Sequence, residues 1–209
     1  MTAKKIEQYF EILPFVAIAR GIKPADAVSN CTILYEAGFR VIETTLNSPE
    51  PYKSIERMAA SFGDKALIGA GTVVTVDQVE QVKDAGGEVI ISPHCDSEII
   101  EMTKKCNLIS IPGVATPTEV MTAIRAGADA LKLFPAEIIG LDGLKALKAV
   151  VPKGTYLIPV GGIDEDNYHP YLLAGATACG LGSSLYRAGM SPDQLKRRAE
   201  VFRSRRQIE

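Results

Sequence analysis

Tryptophan is absent from the 209 residues, histidine occurs twice and cysteine four times. His94 and His169 have no metal-ligand partner at useful spacing, so no metal centre is expected. Cys31, Cys95, Cys106 and Cys179 are scattered without a CxxC pair. The N-terminal "MTAKKIEQYFEIL" is amphipathic, carries acids and lacks the apolar stretch of a signal peptide. Reduced thiols and a cytoplasmic location are therefore expected. No apolar run reaches the ~18 residues of a membrane span. Charge of either sign is not in surplus: the net value is −2, which argues against nucleic-acid binding and against an acidic solvating tail. The one local bias, "LKRRAEVFRSRR" near the C-terminus, reads as the solvated face of a last helix. Apolar residues at 46% and charged residues at 23% are ordinary for a globular chain, and the length suits one large domain or two small ones.

What is present is a repeat. Ala-Gly pairs recur in "EAGFRVIE", "DAGGEVII", "RAGADALK" and "LAGATACG", with Gly38, Gly86, Gly127 and Gly175 spaced by 48, 41 and 48 residues. Each pair closes a helix-like pattern and precedes a short apolar run, and glycine is the residue that tolerates the left-handed stop of a helix. Each interval holds one further apolar run, so the unit is one strand plus one helix, of which the chain has eight. Strands are predicted at 14–20, 41–46, 66–72, 88–93, 108–113, 130–135, 156–161 and 178–182. Helices are predicted to open in "KPADAV", "SPEPYKSI", "TVDQVEQV", "DSEIIEMT", "TPTEVMTA", "DGLKALKA", "DEDNYHPY" and "SPDQLKRR". A further amphipathic helix, roughly residues 4–12, comes before the first strand. Continuous apolar strands alternating with helices imply a parallel sheet covered by helices, and eight units imply a closed (β/α)8 TIM barrel in one domain spanning 1–209. A doubly wound open sheet is the alternative, but "ARGIKPAD" after the first strand lacks the glycine pattern of a dinucleotide turn.

Two ionisable residues stand out on this frame. In "ADALKLFPAE", Ala130, Lys132 and Phe134 share one face of the strand and Leu131 and Leu133 the other. If the leucines meet helices, Lys132 points into the barrel; otherwise its head reaches water past the rim. In "VIETTL" the same alternation turns Glu43 inward. One reading is a buried structural ion pair. The other is chemical: desolvation lowers a lysine's pKa, and a neutral amine forms a Schiff base with a carbonyl while a carboxylate moves protons.

The ordered set "VIETTLNSP", "LIGAGTV", "VIISPH", "SIPGVATPTE", "ALKLFPAE", "PVGGI" and "GLGSSLYRAG" resembles the 2-keto-3-deoxy-6-phosphogluconate (KDPG) aldolase family over about residues 15–189. These are bacterial class I aldolases, typically trimeric barrels. The resemblance implies Lys132 as the Schiff-base lysine and Glu43 as the acid/base carboxylate. It implies Thr72 at the pyruvyl group and Pro93 and Phe134 in the pocket wall, where each could equally be a turn or filling residue. It implies Gly161, Gly162 and Ser183 around a phosphate. Barrel phosphate sites do form from the loops after the seventh and eighth strands, where close backbone approach and a following helix start attract an anion. Gluconate-type members carry an arginine where this chain has Asn47. "TTLNSP", "IARGIKP" and "GSSLYRAG" resemble the branch acting on the 4-epimer, 2-dehydro-3-deoxy-6-phosphogalactonate. Arg20, at the end of the first strand, would then replace the missing fork for a carboxylate, unless it is a surface cation.

The expected activity is aldol cleavage of such a sugar acid to pyruvate and D-glyceraldehyde 3-phosphate, with no metal or organic cofactor and a homotrimeric assembly. The gluconate epimer and 4-hydroxy-2-oxoglutarate are alternative substrates. A phosphosugar isomerase or epimerase, and a non-catalytic phosphosugar-binding barrel, are competing functions. Cys95 and His94 lie beside the predicted fourth strand, as a reactive or inert thiol and as a substrate contact or surface residue respectively.

Overall fold

In the computed structural model, which describes residues 3–205, strand and helix alternate as the glycine spacing predicts. The helices start where local chemistry satisfies their first N–H groups. Proline opens α2 (Pro24–Glu36), α3 (Pro51–Phe62) and α6 (Pro117–Ala126). Reciprocal capping boxes, Thr75 with Gln78 and Thr116 with Glu119, start α4 (Val76–Asp84) and α6. The Asp96 side chain accepts from two backbone N–H groups of α5 (Ser97–Lys105). At the other ends Gly38, Gly86, Gly127 and Gly175 take φ values of 102°, 79°, 99° and 100°, the conformation for which the Ala-Gly repeat selects glycine.

The strands are β1 (Phe15–Ile18), β2 (Val41–Thr45), β3 (Leu67–Gly71), β4 (Val89–Ile91), β5 (Ile109–Ile111), β6 (Gly113–Val114), β7 (Leu131–Leu133), β8 (Leu157–Pro159) and β9 (Cys179–Leu181). All their pairings are parallel, in two curled segments ordered β5-β4-β3-β2-β1-β9 and β6-β7-β8. The order advances without reversal and sets β1 beside the last strand, so the doubly wound alternative is not what the chain forms. The predicted strand at 108–113 is split at Pro112, which has no N–H to give the ladder; its carbonyl still accepts from Lys132 N at 2.9 Å. Beyond the named strands, Val160 and Gly180 form a parallel bridge, and Thr177 N donates to Leu157 O at 2.8 Å.

Side-chain alternation divides the apolar residues between an inner and an outer layer. Val16, Ile18, Val41, Leu67, Ile109 and Ile158 belong to the inner one. Helix α1 (Ala3–Ile12) adds Ile6 and Phe10 to it, and Lys5 pairs with Glu88 just before β4, so α1 closes the N-terminal end of the strands. Ile42, Leu131 and Leu133 pack outward instead, among helix residues such as Met58, Leu144 and Leu147. The C-terminal helix α9 (Pro192–Arg205) is held to the outer layer by Leu195, Ala199 and Phe202; the Phe202 ring meets Phe15 edge-on at 5.3 Å.

Two helix starts differ from expectation. α7 (Ala136–Val150) begins well before "DGLKALKA", and Gly140 at φ 65°, ψ 179° breaks it internally. α8 (Tyr168–Leu173) begins after "DED", because Asp164 Oδ1 accepts from Asp166 N and Asn167 N and folds that segment into a turn. Among the described residues no helix is long and apolar enough to cross a membrane.

Candidate active site

Lys132 sits in β7 with only 6% of its surface exposed. Leu131 and Leu133 take the helix side, so the lysine joins Ala130 and Phe134 on the inner face. Its Nζ lies 4.7 Å from the centroid of the Phe134 ring. Glu43, 1% exposed, follows Val41 on the inner face of β2. Space for its carboxylate comes from β3: a Cβ at Gly71 would stand 2.1 Å from Glu43 Oε2. That oxygen is buried and has no hydrogen-bond partner among the described residues. A buried carboxylate oxygen left unpaired is costly unless a bound molecule completes it.

The two groups are within electrostatic reach of each other. Burial pushes the Glu43 carboxyl up to about 6, against the opposing pull of Lys132 and Arg20. Burial lowers the Lys132 ammonium pKa; Glu43 counteracts this and Arg20 adds to it. The protein thus disfavours charge on both, which is what a nucleophilic amine and a proton-shuttling carboxyl need.

Lys132 opens on a cavity of about 460 Å³ whose wall includes Arg20, Phe134, Gly161, Gly162 and Ser183. Arg20 leaves the end of β1 and its Nη1 donates to Asn47 Oδ1 at 3.0 Å. Ser48 Oγ accepts from Gly21 N at 2.8 Å and contacts Thr45 Oγ1 at 3.0 Å, so the segment after β2 holds the β1 terminus in two places. Gly161 and Gly162 adopt φ values of 108° and 66°, and a Cβ at either would come within 2.9 Å of Glu137 Oε2. Glu43, Asn47, Thr72 and Pro93 do not form the cavity wall. Asn47 is linked to it through Arg20, Thr72 follows Gly71 at φ 60°, and Pro93 follows β4 with its carbonyl against Gly113.

Two expectations are corrected. No helix starts directly after either glycine loop: 165–167 and 183–185 are turns, with Leu185 N and Tyr186 N donating to Gly182 O. Arg187 and Arg198 line the cavity there, beside Asp164 and Glu165. Arg198 belongs to the basic C-terminal stretch assigned above to solvent; Arg206 of that stretch lies outside the described residues. On the helix Arg198 falls between the buried Leu195 and Phe202, at the margin of the packed face. Cys95 is half-buried, its Sγ donates to Glu119 O at 3.4 Å, and burial raises its thiol pKa, which suits an inert role. His94 is exposed, 3.8 Å from Asp96. Among the described residues no three His, Cys, Asp or Glu side chains gather as a candidate metal centre.

Residues 5–200 match the family described as KDPG and KHG aldolase. The chain is 43% identical over 186 residues to the "Probable 2-dehydro-3-deoxy-6-phosphogalactonate aldolase" of Rhizobium meliloti strain 1021, covering 89% of this chain and 88% of that protein. It is 42% identical over 190 residues to the 2-dehydro-3-deoxy-6-phosphogalactonate aldolase of Escherichia coli K12, covering 91% and 93%. A solved structure described as "Native KDPGal structure" superposes with a TM-score of 0.91 at 41% identity, covering 94% of this chain and 96% of the other. The KDPG aldolase of Legionella pneumophila, solved with pyruvate captured as a covalent carbinolamine, superposes with a TM-score of 0.80 at 30% identity, covering 95% and 94%.

Proposed function

The chain belongs to the KDPG and KHG aldolase family, and from that premise we propose that it cleaves 2-dehydro-3-deoxy-6-phosphogalactonate to pyruvate and D-glyceraldehyde 3-phosphate through an imine on Lys132. The observation that carries the proposal is the meeting of a buried lysine, whose charge is disfavoured, with a carboxylate oxygen that has no protein partner.

The neutral Lys132 amine attacks the C2 keto carbon, and protonated Glu43 gives its proton to the departing carbinolamine hydroxyl, leaving water, the protonated imine and the Glu43 carboxylate. Glu43 takes the proton of the C4 hydroxyl as the C3–C4 bond breaks. The bond's electron pair moves into the imine and leaves an enamine, while the aldehyde departs. Glu43 returns its proton to C3, water then adds to the second protonated imine, and the proton released goes back to Glu43 as pyruvate and the free amine are formed. A carboxyl pushed up to about 6 both accepts and donates a proton near neutral pH.

Arg20, aimed by Asn47, binds the substrate carboxylate, and Phe134 covers the amine. Thr72 and Pro93, at the ends of β3 and β4, border the pyruvyl end. Gly161, Gly162 and Ser183 receive the phosphate through the backbone. Arg20→Ala should raise KM for the phosphorylated keto acid by about 10-fold or more, the effect of losing one charge-assisted bond; steady-state kinetics read this directly, and an unchanged KM removes Arg20 from the site.

The finer architecture belongs to this reading too. β5 and β6 count as one strand interrupted at Pro112, and the Val160–Gly180 bridge supports closure of both segments into a single (β/α)8 barrel comprising residues 1–209. A homotrimer rests on family resemblance, and a cytoplasmic location on four unpaired thiols.

Borohydride reduction with pyruvate present tests the chemistry. The expected product carries a stable pyruvate-derived mass on the peptide containing Lys132. An isomerase or a binding barrel gives no adduct. The galactonate assignment, supported by Asn47 in place of arginine, is checked by kcat/KM on the two C4 epimers side by side; a preference for the gluconate epimer reverses it.

A further inference from the structure

Ser183 and Ser184 form the turn after β9, and two arginines converge on it from different parts of the chain. Arg187 Nε donates to Ser183 O at 3.0 Å. Arg198 Nη1 donates to Ser183 O at 2.8 Å and to Ser184 O at 3.1 Å. Both guanidinium groups also line the cavity that Lys132 opens on. Ser184 Oγ donates to Ile163 O at 2.8 Å, which ties this turn to the Gly161–Gly162 loop across the cavity mouth.

Two charged forks on one exposed turn exceed what its carbonyls need, since water serves a surface carbonyl at little cost. Guanidinium has five N–H donors in a fixed plane, and the carbonyl bonds occupy a single nitrogen of each group. The remaining guanidinium nitrogens take no part in these carbonyl bonds, and the two cations share the cavity wall with Asp164 and Glu165. Arg198 is held especially firmly, because the buried Leu195, Ala199 and Phe202 flank it on α9. A cation on a packed helix keeps its place when the cavity is empty and so loses less entropy when an anion binds.

We propose that Arg198, with Arg187 beside it, is the residue that makes this site select phosphorylated over unphosphorylated aldehydes. It does so by fixing the Ser183–Ser184 turn and by bringing a permanent positive charge from the C-terminal helix to the cavity wall. The inference rests on the aldolase reading above and adds to it a specificity residue outside the backbone loops.

The test compares D-glyceraldehyde 3-phosphate with D-glyceraldehyde as acceptor for pyruvate, two aldehydes that differ only in the phosphate. Arg198→Met should lower kcat/KM with the phosphorylated aldehyde by about 10–100-fold, the range for a charge-assisted bond, and leave the unphosphorylated aldehyde within about 3-fold. Arg198→Lys, which retains the charge but not the fork, should show a smaller loss confined to the phosphorylated aldehyde. Equal losses with both aldehydes, or no loss with either, overturn the proposal. Borohydride trapping of pyruvate should be unimpaired in both variants. If the wild-type protein itself traps no pyruvate, it is the aldolase reading that fails. Inorganic phosphate then decides the present point: it should raise the wild-type Tm and not that of Arg198→Met, and equal shifts overturn the assignment.

Discussion

Lys132→Met is expected to remove aldol cleavage, lowering kcat by at least about 10⁴-fold because no other group can form the imine. Methionine fills a similar volume without an amine, so the inner layer stays packed. Lys132→Arg should be as inactive, since a guanidinium keeps its charge at every accessible pH and cannot attack a carbonyl. Neither variant should gain a pyruvate-derived mass under borohydride. Stability moves the other way. A lysine whose folded-state pKa is lowered binds its proton less well in the fold than in the unfolded chain, so its burial destabilises the protein at neutral pH. Lys132→Met should therefore raise Tm at pH 7. Activity that survives the substitution would falsify the covalent mechanism, whatever the stability does.

The second large effect is expected at Glu43. Glu43→Gln keeps the shape and removes the base, and kcat should fall by about 10²–10⁴-fold, the range for a positioned proton carrier. Imine formation with pyruvate should persist at a reduced rate, because the nucleophile is intact. In the wild-type protein kcat/KM should decline as pH falls through about 6, where the carboxyl takes up its proton. That limb should be missing from the residual activity of the variant. The stability consequence follows from the direction of the shift. A carboxyl raised from 4.5 to about 6 binds its proton more tightly in the folded state. Its burial then costs nothing below the unfolded pKa, and the cost grows between the two values and is complete above about 6. The full cost is about 2 kcal/mol. Glu43→Gln should thus be more stable than wild type at pH 8 by up to that amount, and no more stable near pH 4. A denaturation series across this range reads the difference, and a constant offset at all pH values would assign it to packing instead.

The unpartnered Oε2 of Glu43 links these two predictions to the fold. The carboxylate has room because β3 offers Gly71 where any other residue would place a Cβ at 2.1 Å. It is dry because β2 lies between β1 and β3 and both its faces are covered. A buried carboxylate kept unsatisfied is a local cost that the surrounding apolar layers carry, and it is why its replacement is expected to add stability.

Much of this was written in local chemistry. The alternation of Leu131, Lys132, Leu133 and Phe134 determined which way the lysine points, because side chains on a strand have a period of two and the leucines need a helix to pack against. The Ala-Gly spacing made the alternation of strand and helix legible, because a helix that stops in the left-handed conformation selects glycine. Motif order sufficed for the family. Other features were decided only by the fold. Pro112 splits a strand that reads as continuous, since the effect of a missing N–H depends on which partner needs it. Beside the two glycine loops the cavity wall carries Arg187 and Arg198, and no helix starts directly there. Arg198 reads as one more solvated cation in a basic stretch. It becomes part of the cavity because α9 packs against the outer layer and delivers it to a turn 15 residues earlier in the chain. Periodicity reports which face of an element is buried, but not which loop a long polar side chain on its margin will reach. That depends on how distant segments are brought together, and only the packed structure determines it.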